Sequence, residues 1–459
     1  MSARSGLTGA AASHHIPIQG AHALYFPLNF QVNYTFMFSV YEEQTEHPHN
    51  GQVAYNLSAL VPSEEMELLC PIRYIYNYLP IKPNWLETPQ LSLSRFCEEE
   101  EKKKKEKGKR QDSNSHPVEP RNSITMSPRA ANLPLHTGLD TTFRQSRYWK
   151  SNERCTEELL KLFAEDERCS GILCSNKQSM SSLAEEQRRC AVMDTYSRFS
   201  TYMFPQADAS RAPLLAQCIV LIFMFDDLWE NASPEIIEET GQYFVSRLRG
   251  TSPSTAMDTP LEQRIDAIRR GLLAGDEEQG NGGAEILEYL SNFCHHAEPP
   301  RDGFNTVREY LDYRWEDIGN RFTFGCAKFS ICSEADQRHP SLRALLGRIG
   351  DHISIANDIA SYDKEKSRFE CGKANSIINL VHVIAECDGL GSNAAKAMAY
   401  AWQLLTEEEI RGHLEQLRYR NALGMEEWRF VEACLAAAKG NLFTSVVIAR
   451  YGGEGARVA

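Results

Sequence analysis

The sequence predicts an all-α fold for residues 136–459, about two thirds of the 459-residue chain. Apolar residues recur there at intervals of three and four, and Gly, Pro, Ser and Asn separate the periodic segments. The sequence also contains no GxGxxG or GxxxxGK[ST] phosphate loop, and no internal repeat with a period of roughly 20 to 50 residues. One large helical domain is therefore expected.

The individual helices are predicted from this apolar periodicity. In chain order they are EELLKLFAED, LLAQCIVLIFMFDDLWE, PEIIEETGQYFVSRLRG, LEQRIDAIRRGLL, AEILEYLSNFCHH, NTVREYLDYRWEDIGNRF, LRALLGRIGDHISIANDIASYDKEK, NSIINLVHVIAEC, AAKAMAYAWQLL, EEEIRGHLEQLRYR and EEWRFVEACLAAAKGNLFTSVVIARY. The apolar stretch LLAQCIVLIFMF in the second of them falls short of the roughly 20 residues that cross a bilayer.

Two regions precede the helical domain. Residues 1–97 are rich in Tyr, Phe, Pro and Asn and show neither helical nor strand periodicity, so no role is predicted for them. Residues 98–135 are predicted to be a charged and polar linker or insertion. Its first part, from Glu98 to Ser123, lacks the apolar content that a packed core needs, and we expect it to be disordered. The charge blocks there nearly cancel, which favours a solvated linker over a nucleic-acid-binding arm.

Composition limits the possible functions. The net charge of -13 and the pI near 5.6 argue against non-specific binding of nucleic acid. The 13 cysteines show no paired CxxC pattern, and the first residues lack the apolar core of a signal peptide. We therefore expect a cytoplasmic protein with reduced thiols and no membrane span.

The first motif with chemical meaning is FMFDDLWEN, where a long apolar stretch ends in acidic residues. Asp226 and Glu230 are four apart, within about 40° of each other around a helix axis, and so share one face. Buried carboxylates need partners, and clustered carboxylates suit a hard cation such as Mg²⁺. An acidic helix end before a turn is the plain alternative, and DDxxE alone does not decide between them.

The second motif is NDIASYDKE, in which Asn357, Ser361 and Glu365 stand four residues apart on one stripe of a helix. Their side chains offer an amide carbonyl, a hydroxyl and a carboxylate. Three oxygen ligands on one stripe can chelate a single Mg²⁺. Asp358 points away from this stripe. A polar helix face is the alternative interpretation.

Together the motifs resemble the metal-binding pair of class I terpene cyclases, most closely that of fungal and bacterial sesquiterpene cyclases. In that family DDxx(D/E) is followed some 130 residues later by (N/D)Dxx(S/T)xxxE, and here the interval from Asp226 to Asn357 is 131 residues (357 minus 226). Three further features also match: Arg314 with the helix break at Gly319, Lys364 before Glu365, and the terminal pair Arg450 and Tyr451. One feature departs: GNLFTS has Thr444 where the family often has tryptophan, which puts the shape of the aromatic pocket in doubt.

The resemblance implies a bundle of helices around a central apolar cavity and three Mg²⁺ ions that bind a prenyl diphosphate, with farnesyl diphosphate expected. Asp226 would bridge two of the ions, Glu230 would contact metal through water, and Asp227 would form a salt bridge or an outer-shell contact. The residues expected to bind the third Mg²⁺ are Asn357, Ser361 and Glu365. Those expected to bind diphosphate are Arg314, Lys364, Arg450 and Tyr451, with Arg314 and Tyr451 as catalytic residues. Phe223, one turn before Asp226, is expected to line the cavity.

Two other functions stay open at this point: a chain-elongating prenyltransferase, and a non-catalytic helical interaction protein. We expect a monomer or homodimer. Arg314 has a plain alternative role in an ion pair with Glu309 or Asp317. His295 and His296 are interpreted as a loop, not a zinc site, and Trp402 and Trp428 as packing residues. We expect the chain after Ala449 to be frayed until bound diphosphate holds it.

Overall fold

The computed structural model describes residues 55–79, 121–139, 143–173, 178–190, 192–229, 233–252, 257–278, 282–294, 303–374 and 376–458, with the single residues 255, 280 and 300. They belong to one compact unit that spans residues 54–459. This unit is almost entirely helical, so the predicted all-α fold is confirmed.

The helices are numbered here in chain order. Those of the first half are α1 (Trp149–Glu165), α2 (Glu167–Gly171), α3 (Met180–Arg189), α4 (Ser197–Met203), α5 (Ala212–Trp229), α6 (Pro234–Arg249), α7 (Pro260–Glu278) and α8 (Gly282–Phe293). Those of the second half are α9 (Val307–Asp317), α10 (Asn320–Ser330), α11 (Arg343–Glu370), α12 (Leu380–Asp388), α13 (Ser392–Tyr419), α14 (Met425–Val447) and α15 (Ala449–Gly452). Four 3₁₀ segments accompany them: Leu57–Ala59, Ser63–Leu68, Val192–Asp194 and Gly453–Ala456.

Two groups of helices pack together in the unit, one around α5 and one around α11. The apolar helix α5 packs against α1 and α4, and the long helix α11 packs against α13 and α14. Helix α14 is long and apolar enough to cross a bilayer, but 83% of its most apolar window is buried inside the protein, which is typical of a core helix. The rest of the described chain supplies no second helix of this kind.

A glycine separates α9 from α10. Gly319 has φ of +73°, a left-handed conformation that residues with a Cβ rarely adopt. A Cβ at this position would also lie 3.0 Å from Cδ1 of Ile222 on α5. The predicted helix NTVREYLDYRWEDIGNRF therefore breaks at Gly319, as the family resemblance implied. Because of this break, Arg314 lies in the last turn of α9.

The folded unit begins well before residue 136. Strand β1 (Ser123–Met126) pairs antiparallel with β2 (Phe143–Ser146), and β2 packs on α4 and α14. Ile124 and Met126 are at most 1% exposed. The prediction that the whole of 98–135 is a linker is thus corrected for residues 121–135, since two apolar residues in a four-residue strand are too short a signal to detect. Residues 98–120 lie outside the described residues.

Residues 55–79 also pack into the helical core, where Leu60 and Tyr78 are fully buried. A buried charge network anchors this segment. The guanidinium of Arg198, on α4, donates to Asp194 at 2.6 Å, to the carbonyl of Pro71 at 2.6 Å and to the hydroxyl of Tyr202 at 3.0 Å. The network therefore holds the segment around Pro71 against the helical domain, although this segment precedes the domain boundary predicted at residue 136.

Replacing Arg198 with Met should lower the free energy of unfolding by about 3–5 kcal/mol, because Asp194 would stay buried without its main partner. Urea titration measures this loss. Arg188→Met is the matched control, since Arg188 pairs with Glu157 at the surface and its removal should cost less than about 1 kcal/mol. Equal losses in the two variants would contradict the anchoring role of Arg198.

Candidate active site

The first motif lies at the C-terminal end of α5. Asp226 is half-buried and Asp227 is buried, while Glu230 lies outside the described residues. The guanidinium of Arg450 contacts Asp227 at 2.6 and 3.2 Å, and the hydroxyl of Tyr196 donates to the same carboxylate. Burial alone would raise the pKa of Asp227, but the Arg450 guanidinium holds that pKa well below its ordinary value. The salt bridge expected for Asp227 is therefore confirmed.

The second motif lies along α11, with Ser361 buried and Asn357 and Glu365 half-buried. The amide nitrogen of Asn357 donates to the hydroxyl of Tyr451 at 2.9 Å. The carbonyl oxygen of Asn357 is therefore the atom of this side chain that can bind a cation, since its nitrogen is a donor. The hydroxyl of Ser361 and a carboxylate oxygen of Glu365 lie 3.3 and 3.0 Å from the same amide nitrogen of Asn379, so these two oxygens lie close together. Burial and the nearby Asp358 carboxylate raise the pKa of Glu365.

Arg314 approaches the second motif from α9. Its guanidinium contacts the fully buried Asp358 at 2.9 and 3.2 Å and also pairs with Asp317. The hydroxyl of Tyr310 donates to Asp358 as well. Burial raises the pKa of Asp358, although the Arg314 guanidinium opposes that shift. The alternative ion pair with Asp317 is thus present together with a contact to the residue beside Asn357.

The same arrangement occurs at both motifs. In each, the aspartate immediately after the first proposed metal ligand is buried and binds one arginine and one tyrosine hydroxyl. Asp227 binds Arg450 and Tyr196 in this way, and Asp358 binds Arg314 and Tyr310. The two arginines predicted to bind diphosphate are therefore both held beside a proposed metal ligand.

The Arg450–Tyr451 pair joins the two motifs. Arg450 binds Asp227 of the first motif, and the neighbouring Tyr451 binds Asn357 of the second. Burial raises the pKa of the Tyr451 phenol, and the carboxylates of Glu365 and Asp226 raise it further. Two sequence motifs 131 residues apart thus meet at one dipeptide near the C-terminus.

Lys364 is half-buried and adds positive charge at this meeting point. Its charge acts on Asp227, where it lowers the carboxyl pKa, and on its neighbour Glu365. The structure therefore brings Arg314, Lys364, Arg450 and Tyr451 together around the two motifs.

The donor chemistry fits Mg²⁺. Within the described ranges no cluster of three or more His, Cys, Asp or Glu side chains is arranged to hold a metal. The second motif instead offers an amide, a hydroxyl and a carboxylate oxygen, and the last two both contact the amide nitrogen of Asn379. Hard oxygen donors of this kind suit Mg²⁺, which also takes phosphate oxygens and water as ligands.

Aromatic rings pack against the first motif. Phe223 is half-buried and stacks on Tyr196, with ring centroids 4.7 Å apart and an interplanar angle of 6°. The ring centroid of Phe199 lies 4.7 Å from that of Phe223, with the two rings tilted by 43°. The guanidinium carbon of Arg450 lies 5.6 Å from the centroid of Phe223, within the distance of a cation–π contact. The lining of the cavity by Phe223 stays a prediction.

Bonds within the protein hold the C-terminal segment, which corrects the expectation that bound diphosphate is what ties it down. Backbone bonds of 2.8 to 2.9 Å join Ile75 to Ala456 and Val458 to Arg73, and the hydroxyl of Tyr74 donates to Glu454. The partners of the C-terminal segment are residues 73–75, which belong to the N-terminal region for which the sequence predicted no role.

Several side chains of the site were not predicted from the sequence. Tyr310 stands four residues before Arg314, so helical spacing could have indicated it. Tyr196 has no local relation to Asp227, 31 residues away. Asn379 donates to Ser361 and Glu365, and the sequence analysis also missed it.

The remaining sequence predictions have mixed outcomes. Trp402 and Trp428 pack against the hydrophobic core, as predicted. His352 is buried in the core and bonds to Glu407 at 3.0 Å. His295 and His296 lie outside the described residues.

Fold and site together define a class: an all-α protein in which two oxygen-rich motifs meet at an Arg-Tyr pair. Residues 217–410 match the family model described as "Terpene synthase family 2, C-terminal metal binding". This range contains both motifs and Arg314 and ends before Arg450. Terpene cyclase 6 of Gibberella fujikuroi is 26% identical over 72% of this chain and 85% of its own length. An aristolochene synthase of Aspergillus terreus is 26% identical over 58% of this chain and 83% of its own length.

Among solved structures, aristolochene synthase from Penicillium roqueforti superimposes with a TM-score of 0.51 at 21% identity, covering 65% of this chain and 95% of its own. At that identity the similarity shows the fold alone. The sequence matches and the fold together confirm the predicted resemblance to class I terpene cyclases.

Proposed function

We propose that this protein is a sesquiterpene cyclase. It binds farnesyl diphosphate in a Mg²⁺-dependent manner, ionises the allylic C–O bond, cyclises the resulting carbocation and releases diphosphate. One observation carries the proposal above all: Arg450 binds Asp227 of one motif while Tyr451 binds Asn357 of the other. A substrate head group bound there would contact both motifs and the Arg-Tyr pair at once.

Five residues would hold the metal: Asp226, Glu230, Asn357, Ser361 and Glu365. We propose three Mg²⁺ ions, as the family resemblance implies. When bound, Mg²⁺ would neutralise the diphosphate and stabilise the negative charge that develops on it. In support, Asn357 bonds to Tyr451, and the charges of Asp226 and Glu365 act on the same phenol.

Three cationic residues and the Tyr451 phenol would act on the diphosphate leaving group. When the allylic C–O bond breaks, both electrons go to the diphosphate oxygen, and the charge of the diphosphate rises. Arg314, Lys364, Arg450 and Tyr451 would stabilise that charge as it forms. Before substrate binds, Asp227 and Asp358 hold the two arginines in place. Diphosphate oxygens would then share the guanidinium donors, since an arginine has five N–H groups.

The hydrocarbon part of the substrate needs a dry, apolar surface. Phe223 continues the apolar sequence of α5 up to Asp226 and lies in an aromatic cluster with Tyr196 and Phe199. Faces of aromatic rings attract positive charge, so such a cluster would stabilise a carbocation close to the site of ionisation. Exclusion of water would keep the cation from being quenched before it cyclises.

The choice of a C15 substrate rests on the detail of the motifs, which is most like that of sesquiterpene cyclases. Relatives with the name aristolochene synthase support the same choice. The cytoplasmic location and the monomeric or homodimeric state stay predictions.

The test is to incubate the purified protein with Mg²⁺ and, separately, geranyl, farnesyl and geranylgeranyl diphosphate, and to analyse extracted volatiles by gas chromatography and mass spectrometry. We expect a cyclic C15 hydrocarbon or alcohol from farnesyl diphosphate, and none after EDTA is added. Product from another substrate alone would move the proposal to that chain length. Longer linear diphosphates formed with added isopentenyl diphosphate would indicate a prenyltransferase. No consumption of any substrate would support the interaction protein.

A further inference from the structure

Asn379 lies behind the second motif, immediately before α12, and its side chain is fully buried. Its amide nitrogen lies 3.0 Å from a carboxylate oxygen of Glu365 and 3.3 Å from the hydroxyl oxygen of Ser361. The same nitrogen donates to the backbone carbonyl of Asp358 at 2.8 Å. The amide oxygen accepts from the backbone N–H of Val381 at 2.9 Å.

These contacts give the two halves of the amide different partners. The oxygen caps the first turn of α12, which is a common role for asparagine. Among the described residues, the nitrogen has three acceptors, all on α11, and two of them belong to proposed Mg²⁺ ligands. An amide has two N–H donors, so the three acceptors must share them, and they therefore lie close around one point.

We infer that Asn379 is a positioning residue for the second metal motif. Its amide holds the Ser361 hydroxyl and the Glu365 carboxylate in the orientation that binds the cation, and it ties both to the start of α12. This inference rests on the proposed function, because it assigns a role toward the metal that the function requires. Outer partners of metal ligands act in this way: they fix the orientation of the ligand, and their loss typically lowers metal affinity 10- to 100-fold.

A purely structural role makes a different prediction. If Asn379 only capped α12, serine and threonine would replace it well, because both are favoured N-cap residues. Neither can donate an amide N–H to Ser361 and Glu365. The variants Asn379→Ser and Asn379→Thr therefore keep the cap and remove the amide contacts to the proposed ligands.

The experiment measures binding without substrate turnover. Mn²⁺ is added with inorganic diphosphate to the wild type and both variants, and its apparent affinity is followed by electron paramagnetic resonance and calorimetry. We expect the affinity to fall about 10- to 100-fold in both variants. We expect the melting temperature to change by no more than roughly 2–4 °C, as for a loss near 1 kcal/mol in a domain of moderate size.

The control is Thr306→Ala, which removes the N-cap of α9, where the Thr306 hydroxyl accepts from the backbone N–H of Glu309 at 3.1 Å. This variant should lose a similar amount of thermal stability and keep wild-type affinity for Mn²⁺. A second measurement is the Mg²⁺ concentration that gives half-maximal turnover. It should rise about 10- to 100-fold in Asn379→Ser, while turnover at saturating Mg²⁺ largely recovers.

The outcomes separate the inference from the proposed function. Wild-type affinity in a folded Asn379 variant overturns the positioning role and leaves the cyclase proposal intact. If Asn379→Ser does not fold, the same affinity measurement on Asn379→Thr decides. If the wild type itself binds neither Mn²⁺ nor diphosphate, the proposed function fails and the inference fails with it.

Discussion

Replacing Asp226 with Asn, or Asn357 with Ala, is expected to lower turnover of the prenyl diphosphate by about 10²-fold or more. Asp226→Asn replaces a proposed carboxylate ligand of the first motif with a neutral amide, and Asn357→Ala removes a proposed oxygen ligand from the second motif. The charge that develops on the departing diphosphate would then lose part of its main electrostatic stabilisation, and losses of that kind commonly reach about 10²- to 10³-fold. EDTA should abolish turnover of the wild type.

The measurement is the steady-state rate of diphosphate release at saturating Mg²⁺ and substrate. Asp312→Asn is the matched control, because Asp312 is a surface carboxylate on α9 with a side chain that is 70% exposed. Its rate should stay within about twofold of the wild type, as expected for a surface substitution. Wild-type rates in both motif variants would remove the metal assignment.

The two substitutions should leave the fold largely intact, which makes the rates interpretable. Asp226 and Asn357 are half-buried, whereas the buried aspartates beside them carry the ion pairs to Arg450 and Arg314. In each motif, the residue proposed to bind metal is thus distinct from the aspartate that forms the buried ion pair. Substitution of Asp226 or Asn357 should therefore lower turnover more than it lowers the free energy of unfolding.

The helical framework could be predicted from the sequence because its signal is local. The segment LRALLGRIGDHISIANDIASYDKEK lies within α11, which carries the whole second motif. AAKAMAYAWQLL and EEEIRGHLEQLRYR were predicted as two helices but form the single helix α13. A single residue, Thr406, separates the two segments, so neither Gly nor Pro interrupts the helix between them. Strands β1 and β2, of four residues each, gave too little alternation to be seen.

From helical geometry alone, the site was predictable only where its residues share one helix, whereas Arg314, Arg450 and Tyr451 followed from the family resemblance. Asn357, Ser361 and Glu365 follow from their spacing, because helical geometry places them on one stripe. Tyr196 and Asn379 contact the motifs through the tertiary fold, and no periodicity connects them to their partners. The N-terminal segment 73–75 was missed for the same reason, since its bonds to the C-terminal segment join residues almost 400 positions apart.

Replacing Arg450 with Met is the other substitution with a large expected effect, and it should act on both stability and turnover. Arg450 is 9% exposed and forms a bidentate pair with the buried Asp227. Its loss would leave the buried Asp227 carboxylate without its guanidinium partner, and removing one partner of a buried pair typically costs about 3–5 kcal/mol. Turnover should fall about 10²- to 10³-fold, because the guanidinium would also bind the leaving diphosphate.

Arg457→Met is the matched control on the same C-terminal segment. Arg457 pairs with Glu454 at the surface, where its side chain is 56% exposed. Its loss should cost less than about 1 kcal/mol and leave turnover near the wild-type rate. Arg450→Lys adds a second comparison: it keeps the charge but loses the planar fork that binds a carboxylate or diphosphate through two bonds. We expect this variant to lie between the wild type and Arg450→Met in rate.

The fate of the carbocation then shows whether Arg450 also helps to close the site. The C-terminal segment is tied to residues 73–75 by backbone bonds that the substitution does not touch, so hydrogen exchange across residues 453–458 should stay near the wild-type rate in Arg450→Met. A rise in water-quenched alcohol or uncyclised product, per substrate consumed, would therefore come from lost contact between Arg450 and diphosphate, not from fraying of the chain. Gas chromatography of the products measures that ratio. A slower enzyme with an unchanged product ratio would restrict Arg450 to the ionisation step, and the closing role would have to be given up.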